Sequence, residues 1–153
     1  MAVKVKAAPK VSIKLMTDED IDGVLAIDRK LRGAKRAISF ADPIDDYVGG
    51  EVGVSCVARA ESRVVGVILG RLVTMPNEGI KVAWIQILGI DPDLQGQGIG
   101  TKLVKAFETQ ASKKGAERIH LLTMPSDKTL KPFFESVGYS AGKFIQLQKK
   151  LAA

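Results

Sequence analysis

The segment Trp84 to Val104, WIQILGIDPDLQGQGIGTKLV, constrains the fold more than any other part of this chain. An apolar strand-like run ends at Asp91-Pro92, a polar loop follows, and glycines stand at 96, 98 and 100. The period then changes: Ile99, Leu103, Val104, Phe107 and Ala111 recur at steps of three and four, one face of a helix. A strand running into a helix across such a turn belongs to a sheet with helices packed on it. The glycines let the backbone approach a ligand closely. The unpaired amides of the first helical turn point outward at the positive end of the helix dipole and make an anion site, for which a pyrophosphate is the natural guest. The dipole contributes roughly 0.3–1 kcal/mol, and each amide hydrogen bond to a charged group about 1.5–3 kcal/mol. The turn is not a P-loop, because no Gly-Lys-Ser/Thr follows. Its glycines, spaced by two and two, also miss the dinucleotide fingerprint G-x-G-x-x-G.

The flanking sequence fills in the sheet. Residues 1–10 read as a short tail, and 11–153 as one domain of ordinary size. Val11 to Met16 reads as a strand, and Thr17 followed by Asp18-Glu19-Asp20 as a helix start, with Gly33 ending the helix. Asp42-Pro43 opens a short second helix. Val52 to Ala60 and Val64 to Val73, split by Glu61-Ser62-Arg63, form a hairpin, and Ile80 to Ile90 is a third long strand. Ile119 to Thr123 is a short strand, Asp127 to Val137 a helix with Pro132 inside it, and Tyr139 to Leu151 one or two last strands. The sum is an α/β fold: a mixed sheet of about six or seven strands with helices on its faces.

Charge and cysteine content bound the setting. The formal net charge of +6 favours anionic partners. The lysines are scattered rather than blocked, and aromatics make up only 5% of the chain, which argues against a nucleic-acid partner. Cys56 is the single cysteine, in an apolar run, and reads as a buried thiol. The start of the chain carries no signal-peptide pattern, and its most apolar run, Val64 to Leu69, is far short of a membrane span, so a cytoplasmic protein with no membrane association is the expectation.

Gln95, Gly98 and Gly100 fit Gln/Arg-x-x-Gly-x-Gly/Ala, and Phe133-Phe134-Glu135-Ser136-Val137-Gly138-Tyr139 follows at the expected distance. On these two motifs the chain resembles the GNAT superfamily of N-acetyltransferases. The resemblance implies a sheet with two splayed parallel strands, here Ile80 to Ile90 and Arg118 to Thr123, holding acetyl-CoA between them. It implies that Leu88, Gly89 and Ile90 contact the pantetheine arm, that Gln95, Gly96, Gln97, Gly98, Ile99, Gly100 and Thr101 hold the pyrophosphate with Lys102 close by, and that Asp127 lies near the cofactor. It implies acetyl transfer without a metal to a primary amine on a protein or small molecule, and dimers are common in the family.

Direct attack on a thioester needs a neutral amine, which costs a lysine about 4.6 kcal/mol and an α-amine about 1 kcal/mol at pH 7. A base helps to remove the proton. The family's usual parts are missing here: Phe134 stands where a tyrosine acid is usual, and Trp84 and Leu122 fall at common base positions. His120, the only histidine, and Glu78, at the head of the third strand, are the candidate catalytic residues. Asp45, Asp46 and Tyr47 are candidates for amine recognition, and Gln86 for orienting a water or pairing within the sheet. The missing acid and base also leave open a CoA-binding sensor that has lost catalysis.

Overall fold

The computed structural model describes residues 10–32 and 47–152. The chain falls into two compact units, Met1–Leu121 and Leu122–Ala153.

The first unit is built on a five-stranded sheet in the order β1-β2-β3-β4-β5. Its strands are β1 (Val11–Leu15), β2 (Cys56–Ala60), β3 (Arg63–Met75), β4 (Ile80–Ile90) and β5 (Arg118–His120). The first four pair antiparallel, and β4 pairs parallel with β5. Helix α1 (Ile21–Arg32) follows β1, and α2 (Ile99–Lys113) makes the crossover from β4 to β5. The expected start of α1 holds: the Thr17 amide donates to Asp20 Oδ2 at 2.9 Å, and a short 3-10 turn, Asp18–Asp20, leads into the helix. Gly33, Asp42, Pro43, Asp45 and Asp46 lie outside the described residues.

Missing side chains let the helices seat on opposite faces of the sheet. A Cβ on Gly70 would meet the Phe107 ring at 2.5 Å, and one on Gly66 would meet Leu103 at 3.1 Å, so α2 packs on this face. On the other face a Cβ on Gly89 would meet Leu31 of α1 at 2.9 Å. Val24, Ile27, Val57, Val67, Leu69 and Ile87 form the core there. All five residues expected on the buried face of α2 are buried.

The second unit contains α3 (Leu130–Ser136). This helix starts later than expected because Pro132 belongs in its first turn, where its missing N–H breaks no helical bond. The Asp127 carboxylate caps it, accepting from the Thr129 and Leu130 amides at 2.8 and 2.7 Å. The sheet has five strands rather than six or seven. Tyr139 to Leu151 carries no strand, and the strand expected to reach Thr123 stops at His120. Alternation of apolar residues gives a segment the capacity to pair, but a strand also needs a partner ladder, and the described residues show none for these segments.

Candidate active site

The two sides of β4 are unequally occupied. Its pairing with β3 runs from Met75↔Ile80 to Gly66↔Ile90, whereas β5 covers only Val82↔Arg118, Ala83↔Ile119 and Trp84↔His120. Among the described residues the parallel ladder ends at Trp84, and β4 continues six residues beyond it. At about 3.3 Å per residue this is a stretch of roughly 20 Å. The register against β3 shifts between Leu69 and Gly70, leaving Gln86 as the extra residue of a β-bulge. The Ser55 hydroxyl pins this point, accepting from the Gly70 amide at 2.9 Å.

Which backbone groups face the uncovered side follows from the ladder. The Asp91 amide donates to Val65 O at 2.8 Å, so alternation directs Gly89 toward β3 and turns the groups of Leu88 and Ile90 away from it. The Gln95 side chain confirms the direction, donating Nε2–H to Ile90 O at 3.3 Å. Of the three residues expected along the pantetheine arm, Leu88 and Ile90 thus turn their backbone groups to the side of β4 away from β3. Gly89 instead leaves room for Leu31.

The turn is shaped as an anion cradle. Gly96 and Gly98 adopt φ of +83° and +80°, a conformation costly for residues with a Cβ. Gly98 is the N-cap of α2 and supplies no side-chain cap, and no acidic residue stands in the first turn. The first-turn amides of Ile99, Gly100 and Thr101 therefore lack a side-chain cap, the kind of helix end suited to an anion. Ile99 is buried and anchors the turn, Gln95 to Gly98 are exposed, and Lys102 is exposed beside them.

Behind the turn lies a residue that the sequence marked only as the end of a strand. Asp91 is buried, and its Oδ1 accepts from the Asp93 amide at 3.0 Å. Its Oδ2 meets Lys30 Nζ of α1 at 3.2 Å and Arg63 Nη1 of β3 at 3.3 Å. Burial opposes its charge, but the Asp93 amide, Lys30 and Arg63 together outweigh it and hold the carboxyl below its ordinary range.

At the other end of the uncovered stretch the two candidate catalytic residues are brought together by a third. Arg118 grips Glu78 with Nη1 to Oε2 at 3.0 Å and Nη2 to Oε1 at 2.5 Å. Its Nε–H donates to His120 Nε2 at 3.2 Å. Trp84 meets the His120 ring edge to face, with centroids 5.9 Å apart. Burial disfavours the imidazolium and Arg118 adds to this, with Glu78 opposing, so His120 titrates below its ordinary value. Glu78 is an ion-paired carboxylate. Arg118 was not singled out from the sequence. Its position two residues before His120 on one strand face was the available signal, but the 40-residue separation from Glu78 leaves no local trace.

In the second unit Phe134 is buried and lies edge to face with Tyr139, centroids 5.1 Å apart, so Tyr139 is a packing residue. The Thr129 and Leu130 amides hold the Asp127 carboxyl below its ordinary range. Tyr47 is half-buried against the α1-side core. No group of three or more histidine, cysteine, aspartate or glutamate side chains able to hold a metal ion occurs among the described residues. No helix among them is long and apolar enough to cross a membrane.

Residues 23–139 match the profile of the Acetyltransferase (GNAT) family. Among curated proteins, an acetyltransferase of Pectobacterium atrosepticum is 30% identical over 64 residues, which is 42% of this chain and 45% of that protein. The chain thus spans less than half the length of this relative. An aminoglycoside N-acetyltransferase solved with CoA superposes with a TM-score of 0.77 at 14% identity, over 97% of this chain and 99% of that one. An aminoglycoside acetyltransferase from an uncultured soil metagenomic sample gives 0.74 at 19% identity over 93% and 97%. A transcriptional regulator from Bacillus halodurans gives 0.75 at 20% identity over 93% and 100%. These likenesses support the fold.

Proposed function

Because the chain belongs to the acetyltransferase (GNAT) family, we propose that it is an N-acetyltransferase that moves an acetyl group from acetyl-CoA to a primary amine by direct attack. The observation that carries this reading is the uncovered edge of β4 leading into the αL glycines and uncapped amides at the start of α2. Backbone groups on that edge suit an arm with amide bonds, and the turn suits a diphosphate. A ligand that uses both is long and anionic at one end, with its reactive end about 20 Å away beside Trp84 and His120. Leu88, Ile90 and Gln95 to Thr101 are the proposed cofactor contacts. Residues 11–153 form the acetyltransferase domain, with 1–10 as its tail, in a cytoplasmic protein.

The residues present supply positioning more than acid–base chemistry. Holding an amine against a thioester contributes about 7–11 kcal/mol when the geometry is right. The acceptor is a protein N-terminus, a lysine or a small amine, and relatives of the same fold act on aminoglycosides. A CoA-binding sensor is the second reading. It is favoured by Phe134, which has no hydroxyl to give the departing sulfur, and by the pairing of Glu78 with Arg118.

Two measurements test both. Saturating acetyl-CoA should raise the melting temperature, and the absence of any shift removes both readings. Release of CoA thiol with peptides, polyamines and aminoglycosides identifies the enzyme, and failure across that panel leaves the sensor.

A further inference from the structure

We propose that Arg118 is a positioning residue that fixes His120 as its Nδ1–H tautomer, and that His120 acts as a hydrogen-bond donor to the departing sulfur rather than as the base. The donor half rests on the acetyl-transfer reading above; the tautomer half does not.

The argument starts from the contacts of one guanidinium. Arg118 can only donate, so its Nε–H pointing at His120 Nε2 from 3.2 Å requires a lone pair on that nitrogen. The proton of the neutral ring then sits on Nδ1. Glu78 makes the arrangement durable, because its two contacts with Arg118 hold the planar group in one orientation and leave Nε facing the imidazole. Trp84, from the neighbouring strand, fixes the ring plane and brings no charge. Burial and the Arg118 charge on its own strand disfavour the imidazolium, Glu78 from the turn before β4 opposes them, and the balance holds the ring below its ordinary value. A base here would put an imidazolium against a guanidinium with its only lone pair already engaged. A donor needs no such change, and neutral imidazole serves as an electrophile in other enzymes.

His120 pairs with Trp84 on the last rung before the gap, where the reactive end of the arm is proposed to lie. In the transfer step the amine lone pair forms a C–N bond to the acetyl carbon and the C–S bond breaks. Sulfur leaves with the electron pair, and the extra proton on nitrogen goes to water. The Nδ1–H bonds to the sulfur without leaving the ring. A thiol of ordinary pKa near 8.5 departs readily as an anion, so solvation by a fixed donor meets much of the need that a protonating tyrosine would otherwise fill.

His120 is the only histidine, so in protein freed of any histidine tag its ring nitrogens give the only imidazole 15N signals. At pH 7.5 the wild type should show the Nδ1–H pattern, and Arg118→Met should show the Nε2–H pattern. A wild-type Nε2–H ring overturns the proposal by itself, whether or not the variant folds. An Nδ1–H ring that persists in folded Arg118→Met overturns the role of Arg118. His120→Phe should lower kcat about 10²-fold with the KM for acetyl-CoA within threefold, and an unchanged kcat overturns the donor role. If the wild type fails to bind acetyl-CoA, the transfer reading and the donor role fall together, while the tautomer is still read from the spectrum.

Discussion

The anion cradle makes a prediction whose parts can be separated at Gly98. A Cβ placed there meets no atom within 4 Å, so substitution meets no clash and acts through backbone strain and through whatever the new side chain brings to the site. With φ at +80°, the strain for an L-residue is roughly 1–2 kcal/mol. For a chain of this size that lowers the melting temperature by roughly 2–8 °C, the same for Gly98→Gln and Gly98→Glu. The two differ in charge. A carboxylate held about 5 Å from a phosphate is repelled by about 0.8 kcal/mol at the dielectric of water and about 3 kcal/mol at an effective value of 20. Gly98→Glu should therefore bind CoA about 4- to 200-fold more weakly than Gly98→Gln. Isothermal titration with CoA at 20 mM and 300 mM salt reads both terms, and the gap between the variants should narrow at high salt. Equal affinities for the two folded variants, each close to wild type, would show that no phosphate lies against the start of α2.

Two further predictions rest on buried groups. Burial pushes the Cys56 thiol up to about 11, so at pH 8 only about one molecule in 1,000 carries the thiolate, and a thiol reagent should label native protein roughly 10²-fold more slowly than unfolded protein; equal rates would place Cys56 outside the core. The Asp91 carboxyl is held below its ordinary value, so its contribution to stability is present above the unfolded pKa and is lost as pH falls through the folded one. Asp91→Asn should destabilise the protein by about 1–2 kcal/mol at pH 7 in denaturant titration. That gap should close toward pH 2–3, and a gap that does not depend on pH would refute the ionic account.

What the sequence disclosed was what local periodicity and turn chemistry control. The buried face of α2 could be read from Ile99 to Ala111 because a helix repeats its environment every few residues. The bounds of β4 could be read because Pro76 to Gly79 and Asp91-Pro92 punctuate it. Gly96 and Gly98 of the turn declared themselves because their backbone angles exclude most other residues. The bulge at Gln86 was hidden, since it arises from a register chosen against β3 and from the way Ser55 holds Gly70. The partnership of Glu78, Arg118 and His120 was hidden for the same kind of reason: a side-chain contact across 40 positions imposes no pattern on the residues between. Leu147 and its neighbours show the converse, a segment with the composition of a strand and no ladder to join among the described residues.

The three ties made by Asp91 bear on how the turn behaves before any ligand arrives. One carboxylate joins the end of β4 to α1 through Lys30 and to the β2–β3 hairpin through Arg63. The strand end that launches the glycine turn is therefore braced by elements that fold for their own reasons. The ordering of that strand end is completed during folding, so less conformational entropy remains to be lost on association. If the turn holds a diphosphate as proposed, the cradle is preorganised for it, and affinity would depend on residues that never touch the ligand.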